Sequence, residues 1–344
     1  MPKPRKLLFI AIALTAAGLA GPAAAAEPVL NLYSARHYQT DEALYRDFTA
    51  QTGIRVNRIE GKEDELFMRI RTEGANSPAD VFLTVDAARL QMAHEAGLFA
   101  PVASSTLRRR IPAQFREPGG HWFGFSYRAR VIVYRKDRID PAHVRTYADL
   151  ADPALRGKLC VRSGGHVYNR SLMAAQIAHH GEAGAEAWAR GIVANLARPP
   201  KGGDTDQIRA VAAGECDVAL SNHYYYARLM ASTEPGDREV VRRTGLVFPD
   251  QAGRGAHVNI SGGGMLKHAP NKDAAVKFLE YLASDAAQAY FADGNNEWPV
   301  VPTVRLDNPQ LQAMGKFKVD RLGADALARN SAAAQRAIDR AGWK

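Results

Sequence analysis

The run Tyr224-Tyr225-Tyr226 is the first place where residue type and spacing suggest chemistry. A strand would turn the three side chains to alternate faces and a helix would fan them over about 200°, so they cannot all enter one core. Taken alone, the run suits aromatic packing as well as metal ligation by phenolates. A second cluster, Ser34-Ala35-Arg36-His37-Tyr38, precedes a helix and adds a histidine and a phenol; a single histidine there would usually cap or hydrogen-bond. A third phenol, Tyr168, comes shortly after the polar turn Arg162-Ser163-Gly164-Gly165.

Gathered in one place, these groups suit Fe³⁺. Hard, highly charged cations prefer oxygen donors, and ferric iron lowers a phenol pKa from about 10 far enough to ionise it. Three or four phenolates offset three positive charges, and a neutral imidazole fills a further position without adding charge. Arg36 or Arg128 would steady the phenolates by hydrogen bonds. Zinc would call for Cys and His, and calcium for a carboxylate-rich loop; neither pattern is read in the sequence. His166 and His223 adjoin the tyrosines in sequence but are expected to point away. The motifs assemble no Ser-His-Asp, Cys-His or paired-carboxylate arrangement, so the chain is not expected to be an enzyme.

Each phenol follows an extended apolar segment. Val29 to Tyr33 reads as a strand, Thr40-Asp41-Glu42 starts a helix, Gly53 stops it, and Ile54-Arg55-Val56 alternates as a second strand. Asp80 to Val85 with a helix from Asp86 to Ala96 repeats the pattern. Alternating strands and helices imply an α/β chain with a parallel sheet. A second series comprises strands at Arg130 to Tyr134, Lys158 to Val161 and Asp217 to Ser221, separated by helices near 169–180, 182–197 and 204–215. The phenols thus stand at strand carboxyl ends, where open α/β sheets place ligand crevices. Gly262-Gly263-Gly264, after a strand at His257 to Ile260, suits close backbone approach or a bend. An Ala-rich helix is expected near Ser331 to Arg340. No phosphate-binding loop or dinucleotide fingerprint is present.

The first 26 residues read as a signal peptide. Lys3, Arg5 and Lys6 precede an apolar run from Leu7 to Leu19, and Ala24-Ala25-Ala26 before Glu27 is a cleavage signal. Cleavage is expected after Ala26, releasing the chain into a Gram-negative periplasm; no cysteine lies nearby to accept a lipid. The remaining 318 residues suffice for two lobes, and 46% hydrophobic content supplies a core for each. The formal charge is +9, or +6 without the three basic residues of the signal. Its scattered distribution and export argue against nucleic acid as a partner. The two cysteines, Cys160 and Cys216, read as a disulfide in an oxidising compartment or as two buried free thiols.

Several of these segments resemble the ferric-iron-binding proteins of ABC importers: Val29 to Tyr38, Pro78 to Leu83, Glu95 to Pro101, Arg128 to Tyr134, Asn222 to Tyr226 and Glu297 to Val300. The likeness spans nearly the whole mature chain and is most specific at Ser-Ala-Arg-His-Tyr and Asn-x-Tyr-Tyr. It implies a type-II periplasmic binding protein fold, two α/β lobes with a hinge of crossing strands and the ligand cleft between them. Lobe 1 would comprise 27–125 plus 250–302, and lobe 2 126–249 plus 303–344. In the tyrosine-rich branch the ligands correspond to His37, Tyr38, Tyr168, Tyr224 and Tyr225, with Tyr226 a neighbour. Fe³⁺ would be transported cargo, a synergistic anion not required. The partners implied are an inner-membrane permease with its ATPase, and the chain would be a monomer. The phosphate-using branch would place a carboxylate near Asp64, read here as solvated surface, and its anion near Ser163, Gly164 and Asn222. An anion or a polyamine on the same fold is the alternative cargo.

Overall fold

The computed structural model describes residue 1 and residues 27–36, 38 and 40–344. His37, Gln39 and residues 2–26 of the segment read as a signal peptide lie outside the described residues.

Nine strands run through the described residues: β1 (Val29–Ser34), β2 (Arg55–Glu60), β3 (Val81–Thr84), β4 (Phe123–Arg135), β5 (Leu159–Cys160), β6 (Val218–Asn222), β7 (Thr244–Val247), β8 (Val258–Met265) and β9 (Trp298–Pro299). Their order is β2-β1-β3-β8-β4-β6-β5, with β7 and β9 also paired to β4. The expected βαβ unit is present. Helix Asp41–Thr52 connects β1 to β2 in parallel, Gly53 ends it at φ 69°, and β3 pairs in parallel with β1.

Apart from the parallel pair β5 and β6, the rest of the sheet is antiparallel, contrary to the simple alternation read from the sequence. β8 runs antiparallel to β3 and β4, and β4 runs antiparallel to β6, β7 and β9. The expected strand at Arg130 to Tyr134 is the second half of the longer β4. Its first half, Phe123 to Ala129, pairs with β8, and its second half, Arg130 to Tyr134, pairs with β6, so one strand threads both halves of the sheet. Gly262, Gly263 and Gly264 belong to β8 rather than following it. A Cβ there would lie 2.4 Å from the Phe123 carbonyl oxygen, 2.4 Å from Leu83 and 2.2 Å from the His121 carbonyl oxygen, which explains the run.

Helices cover both halves. Val167–Ala194 is interrupted at Gly181, φ 75°, which gives the two expected helices. The C-terminal helix, Ala324–Ala341, starts earlier than its Ala-rich sequence suggests and packs on both Val167–Ala194 and Ala87–Glu95. Its small face, Ala334 and Ala337, is fully buried and permits that close approach. In the first half, Phe48 and Phe278 meet edge to face at 5.0 Å, both fully buried, each worth about 1.5–3 kcal/mol of burial. In the second, Cys160 and Cys216 form a disulfide with Cα atoms 5.9 Å apart. It closes a long loop next to the two-residue strand β5, a constraint worth about 4 kcal/mol.

Candidate metal centre

Tyr168 and Tyr224 are brought together by two helix starts. Helix His223–Ala231 begins directly after β6, so Tyr224 and Tyr225 occupy its first turn, and Tyr168 occupies the first turn of Val167–Ala194. Unpaired N–H groups and the positive end of each helix dipole there favour phenolates. The Tyr168 and Tyr224 hydroxyls lie 2.9 Å apart, sharing a hydrogen bond. Tyr38, which follows β1, lays its ring edge to face against Tyr224 with centroids 6.3 Å apart. Tyr225 stacks beside Tyr224 at 4.3 Å. Tyr226 turns the other way, donating to the Thr244 carbonyl at 2.8 Å, and packs in a core cluster with Val133 and Leu229. Four of the five expected ligands are therefore adjacent, and the fifth, His37, lies outside the described residues.

The phenols are buried, and burial dominates their acidity. Burial and then the Glu297 carboxylate push Tyr38 up to about 12, while Arg128 and Arg36 pull it down. Burial and mutual repulsion of the forming phenolates drive Tyr168 and Tyr224 well above the ordinary value, against the attraction of Arg128. A strong cation is required to ionise this group of side chains at neutral pH.

Arg128 is the central cation. It is 1% exposed, its guanidinium stands 5.5 Å from the Tyr168 ring centre, and Nη1 donates to Ser261 at 3.1 Å. Among the described residues, Nε and Nη2 find no hydrogen-bond acceptor. Arg36 has a different task. It is held by Asp41 at 2.8 Å and Glu297 at 3.2 Å while lying over the Tyr38 ring at 4.9 Å. Glu297, fully buried, also accepts from Ser126 at 2.7 Å. Burial would raise its carboxyl, but Arg36 and Arg128 override this and hold it below the ordinary value.

Two contributors escaped the sequence reading. Glu297 joins the site from more than 250 residues away, and only its place in Glu-Trp-Pro-Val hinted at a role. Arg228 lies within 5.1–5.6 Å of the Tyr224, Tyr225 and Tyr38 ring centres. Its spacing of three and four residues from Tyr225 and Tyr224 on one helix was the available signal. His223 turns from the cluster, accepting the Ala129 N–H at 3.1 Å. His166 caps its helix, its Nδ1 accepting the Tyr168 N–H at 3.3 Å.

The expected anion position is differently furnished. Asp204, fully buried, accepts from Arg130 at 2.6 Å, Arg162 at 3.3 Å and the Asn222 N–H at 2.7 Å. The Gly164 N–H donates to the Lys344 carbonyl at 3.1 Å. An internal carboxylate thus offsets one of the two guanidinium charges beside it. Asp64 is solvated as expected and pairs with Arg89. A cleft of about 620 Å³ opens beside Tyr168, between Glu60 to Glu65 on one side and Gly165 to Arg170 on the other.

The sequence profile of the family described as bacterial extracellular solute-binding protein matches residues 76–328. The chain belongs to this family. Among relatives of this solute-binding protein, iron uptake protein A2 of Synechocystis is 52% identical over 334 residues, covering 96% of this chain and 95% of that protein. A Trichodesmium protein (IdiA, FutA) solved in complex with iron and citrate superposes with a TM-score of 0.86 at 54% identity, covering 92% of this chain and all of that one. The ferric binding protein of Campylobacter jejuni gives 0.87 at 41%, with the same coverage. The architecture is accordingly the type-II periplasmic binding protein fold, as the sequence resemblance implied.

Proposed function

We propose that this solute-binding protein captures Fe³⁺ in the periplasm for an ABC importer, holding it with His37, Tyr38, Tyr168, Tyr224 and Tyr225. The observation that carries this reading is the convergence of Tyr38, Tyr168 and Tyr224 around the buried, incompletely paired Arg128. Phenolates neutralise the cation, Arg128 and the two helix starts stabilise the phenolates, and Arg36 and Glu297 fix Tyr38.

Tyr38 comes from the first lobe, 27–125 plus 250–302, and the other three tyrosines from the second, 126–249 plus 303–344. Iron touching both lobes favours their closed arrangement, because only closure completes the ligand set. The closed protein would dock as a monomer on an inner-membrane permease driven by its ATPase, after export and cleavage behind Ala26. It binds and delivers rather than catalyses. Asp204 already engages Arg130 and the Asn222 N–H, groups that could otherwise hold an assisting anion, which supports iron binding without one.

A visible absorption spectrum before and after ferric citrate tests the proposal. A phenolate-to-iron charge-transfer band is expected in the wild type and is lost or strongly weakened in Tyr224→Phe and Tyr225→Phe. A colourless wild-type protein would refute it.

A further inference from the structure

A second group of donors lies far from the tyrosines. His94 is in the last turn of helix Ala87–Glu95, while Glu117 and His121 flank the turn that leads into β4. Their three donor atoms all lie within 4.8 Å of one another. His121 Nδ1 is 2.9 Å from one Glu117 oxygen, and His94 Nε2 is 4.0 Å from the other. The two imidazoles stand 4.4 Å apart, centre to centre. We propose that His94, Glu117 and His121 form a separate site for a borderline divalent cation of the zinc type.

The donor set decides the class of ion. Two imidazoles and one carboxylate suit Zn²⁺ and its neighbours, whereas Fe³⁺ favours the oxygen-rich tyrosine cluster. Bonds of about 2.0–2.1 Å in a tetrahedron place ligand atoms about 3.3 Å apart, and the three donor atoms already lie within 4.8 Å of one another. Small side-chain rotations therefore suffice to close the triad on an ion. Three protein donors leave a fourth position for water.

The loop holds the carboxylate ready. The Glu117 side chain accepts the His121 N–H at 3.0 Å as well as contacting the His121 ring. Partial burial acts to raise its carboxyl, yet the backbone N–H groups of Gly119 and His121 and the His121 ring bring it down to about 2. Among the described residues its ion-pair partners are the two histidines alone, with no Lys or Arg. Gly119 keeps the space open, since a Cβ there would lie 3.0 Å from both Glu117 Oε2 and His121 Nδ1. The three side chains remain 13–28% exposed, so an ion can enter from solvent.

The site is separate from the tyrosine cluster. His121 precedes Arg128 by seven residues of nearly extended chain, about 20 Å along β4 at ~3.3 Å per residue. A bound ion would clip the end of helix Ala87–Glu95 to the start of β4.

Calorimetric titration of the tag-free mature protein with ZnCl₂ tests the assignment by comparing the wild type with His94→Ala/His121→Ala. The wild type is expected to take up one more equivalent of zinc, and zinc is expected to raise its thermal midpoint more than that of the variant. The difference isolates this site whatever the cleft binds, so it stands or falls independently of the ferric reading. Equal zinc stoichiometry in the two proteins would overturn it. Should the double variant not fold, His94→Gln decides: zinc binding weakened at least about tenfold supports the site, and unchanged affinity overturns it.

Discussion

The hydroxyls of Tyr168 and Tyr224 meet at 2.9 Å although 56 residues separate them in the chain. Each lies in the first turn of a different helix, so the contact joins two helix starts within one half of the molecule. Tyr168→Phe leaves the buried Tyr224 hydroxyl without this partner, at a cost of about 1–3 kcal/mol to the iron-free protein. It also removes one oxygen donor. Denaturant unfolding should register the first effect, and a weakened ferric charge-transfer band the second. A full-strength band would exclude Tyr168 as a ligand.

Arg128 supplies positive charge where the phenolates form, and its Nε and Nη2 are free to donate. Arg128→Met keeps most of the buried volume and removes that charge. Ferric affinity, measured by competition with citrate, should fall about 10–100-fold, as expected for loss of an outer-shell partner. Circular dichroism should stay native. Unchanged affinity would reduce Arg128 to a packing residue.

Asp204 acts as a built-in anion between Arg130, Arg162 and the Asn222 N–H. Phosphate should therefore leave the ferric spectrum of the wild type unchanged. Asp204→Asn strands the buried Arg130 without its carboxylate, and breaking such a pair costs about 3–5 kcal/mol. Phosphate should then raise the thermal midpoint of the variant more than that of the wild type. An equal response in both would show that the guanidiniums are inaccessible to external anions.

The parts legible in the sequence were those encoded locally. Tyr38, Tyr168 and Tyr224 each follow a recognisable strand or turn, and Gly53 and Gly181 mark helix ends through their backbone freedom. What was not legible depends on strand pairing at long range. Only Arg130 to Tyr134 read as a strand, and nothing in Phe123 to Ala129 announces that the strand begins there and pairs with β8 while the later half pairs with β6. For the same reason the sequence marked Asp204 only as the start of a helix and Glu297 only as part of a resembling segment. Their roles arise only when β6 sets Asn222 beside Asp204 and β9 brings Glu297 to Arg36.

Glu63 faces the cleft with its carboxylate turned inward, accepting the Val85 N–H at 2.8 Å and the Thr84 hydroxyl. Burial and then the neighbouring Asp86 push it up to about 6. An acid whose folded pKa exceeds its unfolded value of about 4.3 binds protons more tightly when folded. Its contribution therefore favours the folded state at low pH and is lost as pH rises from about 4.5 to 6, remaining lost above. At ~1.4 kcal/mol per pKa unit the penalty at neutral pH is about 2 kcal/mol. Glu63→Gln keeps an acceptor for the Val85 N–H and removes the charge. Its thermal midpoint should exceed that of the wild type at pH 7 to 8, and the difference should shrink as pH falls through about 5. A variant less stable than the wild type at pH 8 would show that the charged Glu63 carboxylate is needed at the cleft edge, and that Asp86 does not set its energy.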